Sequence, residues 1–148
     1  MEIRELAANE YEMALNLVRS VFREFEEPDY SAEGIKHFYD CLIDPDFIAM
    51  LKIYGAFLDG QLAGVLATCY GGSHIALLFV DGSCHRQGVG RALFNRACKD
   101  NASGSLAVHS SPYATEFYHR LGFSDTSPEQ LTNGLRYTPM TCVVSHNT

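Results

Sequence analysis

Several things are scarce in this sequence, and each scarcity removes a class of protein. No apolar run approaches the roughly 20 residues needed to cross a bilayer, so no membrane partner is expected. The opening MEIRELAANE is too charged for a secretory leader. Five cysteines, Cys41, Cys69, Cys84, Cys98 and Cys142, are odd in number and form no C-x-x-C pair. That argues against a disulfide framework or a zinc site and for reduced thiols in a cytoplasmic protein; no metal is expected. Lysine and arginine total 11 against 18 aspartates and glutamates, a net charge of −7. Such a chain lacks the broad positive face that nucleic acid requires. Repeats, low-complexity tracts and linkers are also missing, so residues 1–148 read as one domain, long enough to bury a sizeable core.

What charge there is lies unevenly. Residues 1–60 hold 13 acidic and 5 basic side chains, whereas residues 82–120 hold 5 basic and 2 acidic. Most of the acids fit solvated helix faces. The arrangement also suits a phosphorylated ligand at one end and a cationic amine at the other.

The stretch from His74 to Asp100, HIALLFVDGSCHRQGVGRALFNRACKD, organises the rest. Seven mostly apolar residues, His74 to Val80, have the length of a strand, and their lack of alternation predicts burial on both faces. A polar turn follows, and from about Gly88 the pattern becomes helical, with Val89, Ala92, Leu93 and Ala97 on one face. A strand, a glycine-containing turn and a helix start aim backbone N–H groups and a positive helix end at one point, which suits an anion. Gly88 and Gly90 let backbone approach a ligand, and Arg86 and Arg91 add charge-assisted donors. Spacing rules out a P-loop, because Arg91 and Ala92 follow Gly90. It also rules out the dinucleotide fingerprint, because Leu93 stands where a third glycine is needed.

Downstream, SSPYATEFYHRLGF runs from Ser110 to Phe123. Ser111 is a natural N-cap with Pro112 at the first helical position. Ala114, Phe117, Tyr118 and Leu121 form an apolar stripe, and Gly122 suits the left-handed residue that ends a helix. HRQGVG, from His85 to Gly90, resembles the pyrophosphate loop Gln/Arg-x-x-Gly-x-Gly/Ala of the GNAT superfamily of N-acetyltransferases, with His85 in the Gln/Arg position. The Ser110–Phe123 segment resembles that family's other recurrent element, a strand leading into a helix that ends Tyr-x-x-x-Gly-Phe.

The remaining elements follow from periodicity and punctuation. Met1 to Leu6 reads as a strand, Asn9 and Glu12 as a near capping box, and Ala14 to Phe25 as a long amphipathic helix broken at Pro28. Ser31 caps a second helix with Ile35, Phe38, Tyr39 and Leu42 inward, ended by Asp44-Pro45. Lys52–Leu58 and Gln61–Tyr70 read as strands joined by the hairpin signal Asp59-Gly60, and Ser105–His109 as a fifth strand. A final antiparallel pair with a turn at Asn133-Gly134 and a frayed tail over Ser145–Thr148 complete the chain. The resemblance implies an α/β (mixed α+β) fold: a mostly antiparallel sheet with one parallel, splayed pair, flanked by about four helices.

The resemblance also implies an activity, transfer of an acetyl group from acetyl-CoA to a primary amine of a small molecule or peptide. In the family, the pantetheine arm pairs with the central strand, here Leu78, Phe79 and Val80. The pyrophosphate meets the loop formed by His85, Arg86, Gln87, Gly88, Val89, Gly90 and Arg91, with Ser111 alongside. The tyrosine matching Tyr118 protonates the departing thiolate, although its position alone fits a core tyrosine equally well. The family's glutamate base falls at His74, which fits either a base or a strand-edge histidine bonded to backbone, and His109 is a second candidate. Among the acids after the first helix, Glu26 and Glu27 are the candidates for meeting an ammonium group. Exposed strands near the C-terminus are where a homodimer would form. A non-catalytic acyl-CoA sensor of the same fold is the alternative reading.

Overall fold

The computed structural model describes residues 1–145; the tail expected to fray lies, beyond Ser145, outside them. Eight strands form the sheet, β1 (Glu2–Glu5), β2 (Lys52–Leu58), β3 (Gln61–Cys69), β4 (His74–Val80), β5 (Ser105–Ser110), β6 (Ser124–Asp125), β7 (Gln130–Thr132) and β8 (Leu135–Val143). Their order is β1-β2-β3-β4-β5-β8-β6, with β7 paired to β8. Every pairing is antiparallel except β4–β5. The mixed sheet with one parallel pair is thus as the sequence implies, although the chain's end forms three strands rather than two.

Among the described residues five α-helices cover the sheet: α1 (Tyr11–Val21), α2 (Ala32–Leu42), the short α3 (Pro45–Ala49), α4 (Val89–Asp100) and α5 (Thr115–Leu121). One core packs Ala14, Leu15 and Val18 of α1 against Ile53, Val65, Leu77 and Phe79 of the sheet. The core on the other face packs Val89, Leu93 and Ala97 of α4 and Tyr118 of α5 against Ala63, Leu66, Ile75 and Leu106. Burying each large side chain contributes on the order of 2 kcal/mol, so the amphipathic stripes read from sequence are what seat these helices.

Three local readings differ. The N-terminal capping glutamate is Glu10, which accepts the Ala7 N–H at 3.0 Å, whereas Glu12 pairs with Arg19. The first helix stays α-helical only to Val21. Phe22–Glu26 then widens into a π-helical turn, and Glu27–Asp29 tightens into a 3₁₀ turn around Pro28. A π turn keeps the chain helical while rotating its side chains, and such turns concentrate at functional sites. The central strand alternates between buried and half-buried positions rather than being buried throughout. A bulge leaves Ala76 without a β3 partner, since Ala67 faces Leu77 while Thr68 faces Ile75. Ile75 consequently shares its face with Leu78 and Val80, and Leu77 and Phe79 share the opposite one.

Candidate active site

The site starts from an interrupted seam. β4 and β5 pair only at His74–Ala107 and Ile75–Val108, and from Ala76 onward the strands part. Asn101, buried after α4, holds their starts together: its amide donates to the carbonyls of Gly72 (3.0 Å) and Ser105 (2.9 Å), while its oxygen accepts the Gly104 N–H (2.8 Å). Pinned at one end and free at the other, the pair opens a cleft of about 330 Å³. Ile75 through Phe79 line one side of it, and Val108, His109 and Ser111 line the β5 side. Between Ala76 and Val80 the β5-facing edge of β4 has no strand partner among the described residues, so its peptide groups, apart from the Val80 carbonyl that meets His85, are available to an extended ligand.

The chain runs on from β4 into the glycine loop. Asp81 accepts the Ser83 N–H at 2.9 Å, and the chain turns through a 3₁₀ segment into Gly88, the N-cap of α4. Gly88 is left-handed (φ 80°) with open space around its Cα, and no side chain caps the helix. The first N–H groups of α4 are therefore free for an anion. Arg86, Gln87 and Arg91 are exposed, and neither arginine joins an ion pair among the described residues. Val89 and Gly90 are buried beneath them. His85 turns its ring inward: Nε2 lies 2.8 Å from the Val80 carbonyl, and the ring packs against Phe25. Its side chain braces the strand-to-loop junction and leaves its backbone to the loop.

Tyr118 is buried on the cleft floor, edge-on to Phe117 and Phe123. Burial, and then the nearby Glu26 carboxyl, raise its pKa, so the phenol stays protonated at any physiological pH. Ser111 does not cap the following helix, as its sequence position predicts. The chain makes a 3₁₀ turn over Pro112–Ala114, and α5 begins only at Thr115. Its hydroxyl lies near Glu26 instead, where it favours the ionised carboxylate. Glu26, the last residue of the π turn, is the one acid of its neighbourhood carried into the cleft lining, and burial pushes its pKa up to about 7. Glu27 stays outside, accepting the Tyr39 hydroxyl.

The two histidines come together. Their ring centroids lie 5.1 Å apart, nearly perpendicular, with His109 at the exposed rim of the cleft and His74 behind it. Burial lowers the pKa of both, and their mutual repulsion lowers that of His74 further. Sequence reasoning missed the roof. The β7–β8 hairpin brings Arg136 and Tyr137 over the cleft, and its Gly134 packs on Gly34 of α2 so closely that a Cβ on either would meet the other's backbone. Asn133-Gly134 marks a turn in the sequence, but nothing local marks where that turn docks.

The comparisons with known proteins bear on this geometry. The family model described as an acetyltransferase (GNAT) domain matches residues 26–144, most of the chain. The protein belongs to the GNAT acetyltransferase family. The GNAT fold is matched throughout: a GCN5-related N-acetyltransferase from Rhodopseudomonas palustris superposes with a TM-score of 0.78 at 22% identity, over 96% of this chain and 94% of that one. The PaiA N-acetyltransferase from Thermoplasma acidophilum, solved with coenzyme A, gives 0.69 at 18% identity, over 96% and 98%. An aminoglycoside 6'-N-acetyltransferase complexed with coenzyme A gives 0.68 at 16% identity, over 100% and 99%. At these identities the likeness to the GNAT structures is one of fold. A comparison with curated protein sequences finds no significant match. No helix among the described residues is long and apolar enough to cross a membrane.

Proposed function

We propose that this GNAT protein is an N-acetyltransferase that moves the acetyl group of acetyl-CoA to a primary amine by direct attack in a ternary complex. The observation that carries the reading is convergence: the free edge of β4 and the buried Tyr118 border one cleft, and β4 leads from it through the glycine loop to the uncapped start of α4. In this reading the loop from His85 to Arg91 receives the pyrophosphate, through main-chain N–H groups and the unpaired Arg86 and Arg91. The pantetheine arm runs along Leu78, Phe79 and Val80 with Ser111 on its other side. The Val80 carbonyl already serves His85, so the acceptors left to the arm lie earlier on the strand.

Chemistry then needs a proton for the sulfur and a place for the protons the amine loses. Tyr118 stays protonated at neutral pH and so has a proton to offer the departing sulfur. His109, kept neutral near pH 7 by its lowered pKa, stands at the rim as the outlet to solvent, and His74 positions its ring. Five free cysteines fit a reducing cytoplasm.

The test is thermal melting with acetyl-CoA, CoA and ATP, followed by thiol release with a panel of amines. A ligand at about 100 times its Kd adds roughly 2.7 kcal/mol of stability. Acetyl-CoA and CoA are expected to raise the melting point and ATP to leave it unchanged, with thiol release once an amine is added. Binding without thiol release from any amine would mark an acyl-CoA sensor instead, and no shift at all would remove the cofactor site.

A further inference from the structure

The acceptor half of the cleft is built of flat rings around a single acid. On one side Tyr30, Phe22 and Phe38 form a column, with Phe22 stacked on Phe38 at 3.9 Å and 11° and on Tyr30 at 5.7 Å and 13°. On the other, Tyr137 of the hairpin stacks on His109 at 4.5 Å and 22°. Among the described residues that line the cleft, Glu26 is the one carboxylate, and it is 9% exposed. The fixed positive charge in the lining is Arg136, in the roof. Arg136 is fixed there, donating from Nη2 to the Asp29 carbonyl at 2.7 Å. Glu26 shares the lining with Tyr118, close enough for its charge to act on the phenol, and with Ser111, whose hydroxyl favours its ionised form.

Resting on the acetyltransferase reading above, we infer that the acceptor is a primary amine carrying one positive charge on a flat apolar body, and that Glu26 receives its ammonium group. A polycation would meet one acid and then an arginine, leaving its further charges desolvated among rings without partners. A single ammonium beside Glu26 is paired, and its apolar body replaces water between two aromatic stacks. The proton balance closes on the same residues. Glu26 takes one proton from the ammonium, and the neutral nitrogen forms the C–N bond as the C–S bond breaks. Tyr118 gives its proton to the leaving sulfur, and the second proton lost by the nitrogen restores Tyr118. One proton then leaves Glu26 for solvent.

The experiment compares phenethylamine and benzylamine with spermidine and kanamycin on the full chain, by thiol release and by calorimetric binding in the presence of CoA, for wild type and Glu26→Gln. The arylalkylamines are expected to exceed the polycations at least tenfold in kcat/KM. Glu26→Gln is expected to abolish measurable arylalkylamine binding while keeping the CoA-induced melting shift, which also shows that the variant folds. Preference for spermidine or kanamycin, or arylalkylamine binding unchanged in Glu26→Gln, overturns the inference. Calorimetry decides it even where no amine is turned over: absence of thiol release counts against the acetyltransferase reading, whereas arylalkylamine binding lost with Glu26 still supports the pocket and absence of binding overturns it.

Discussion

Gly90, in the first turn of α4, lies directly against the ring of Phe117, one residue before Tyr118: a Cβ at Gly90 would come within 2.8 Å of Phe117 Cζ and 3.1 Å of Cε1. The glycine loop is thereby keyed to the tyrosine helix. Gly90→Ala must push the Phe117 ring, which also packs edge-on to Tyr118 at 5.4 Å. Overpacking of this kind costs about 1–3 kcal/mol, so the melting point is expected to fall by several degrees and the acetyl-CoA shift to shrink with it.

Gly88 poses a different demand. No atom crowds it, but its φ of 80° is one that side-chain-bearing residues adopt at a cost of roughly 1–2 kcal/mol. Gly88→Ala is expected to show that strain alone, as a lower melting point with cofactor binding partly kept. Gly88→Glu adds a negative charge at the anion end and is expected to lose the acetyl-CoA shift altogether. Melting each variant with and without acetyl-CoA separates the two effects.

For Tyr118→Phe the packing is nearly conserved and only the hydroxyl is lost. Thiol release is expected to slow by about 100-fold or more with the KM values little changed, since general-acid contributions are typically 10²–10⁴. Steady-state kinetics at saturating acetyl-CoA check this.

Glu26 sets a pH dependence of stability. Its pKa stands at about 7, raised by burial, and the groups around it are Asp29 and Tyr30 on its own segment, Ser111, Tyr113 and Tyr118 beyond β5, and Arg136 in the hairpin. Between about pH 4.5 and 7 the folded protein keeps a proton that the unfolded chain has released, so stability falls as pH rises through that window. Glu26→Gln removes the dependence. The variant is expected to be more stable than wild type by about 2–3 kcal/mol at pH 8 and nearly equal to it at pH 4.5, measured by urea unfolding at both values.

Much of this could be read from residues. The stripes of α1, α2 and α4, the Asp59-Gly60 hairpin with both residues at positive φ, and the loop-then-helix from Asp81 to Asp100 depend on local periodicity and turn chemistry. The misreadings share a cause. Glu10, held by Arg4 of β1, closes the first cap rather than Glu12, and Ser111 lies beside Glu26 without capping its own helix, so neighbours outside the helix decide which polar side chain caps it. The widening at Phe22–Glu26 has no local signature, yet it turns Glu26 inward and leaves Glu27 with Tyr39. The hairpin roof depends on two glycines 100 residues apart, Gly34 and Gly134, whose fit no window of sequence contains.

The interrupted seam also divides the molecule mechanically. With only His74–Ala107 and Ile75–Val108 paired, the sheet is two half-sheets, β1–β4 and β5–β8, stitched by a few peptide hydrogen bonds. Hydrogen exchange is expected to report two cooperative blocks, with the amides at the stitch among the first strand amides to exchange. A ligand lying in the gap would lend each half the strand partner it lacks, so saturation should fuse the blocks into one and slow exchange on both sides equally. The protein would then be held together along its midline by its own ligand.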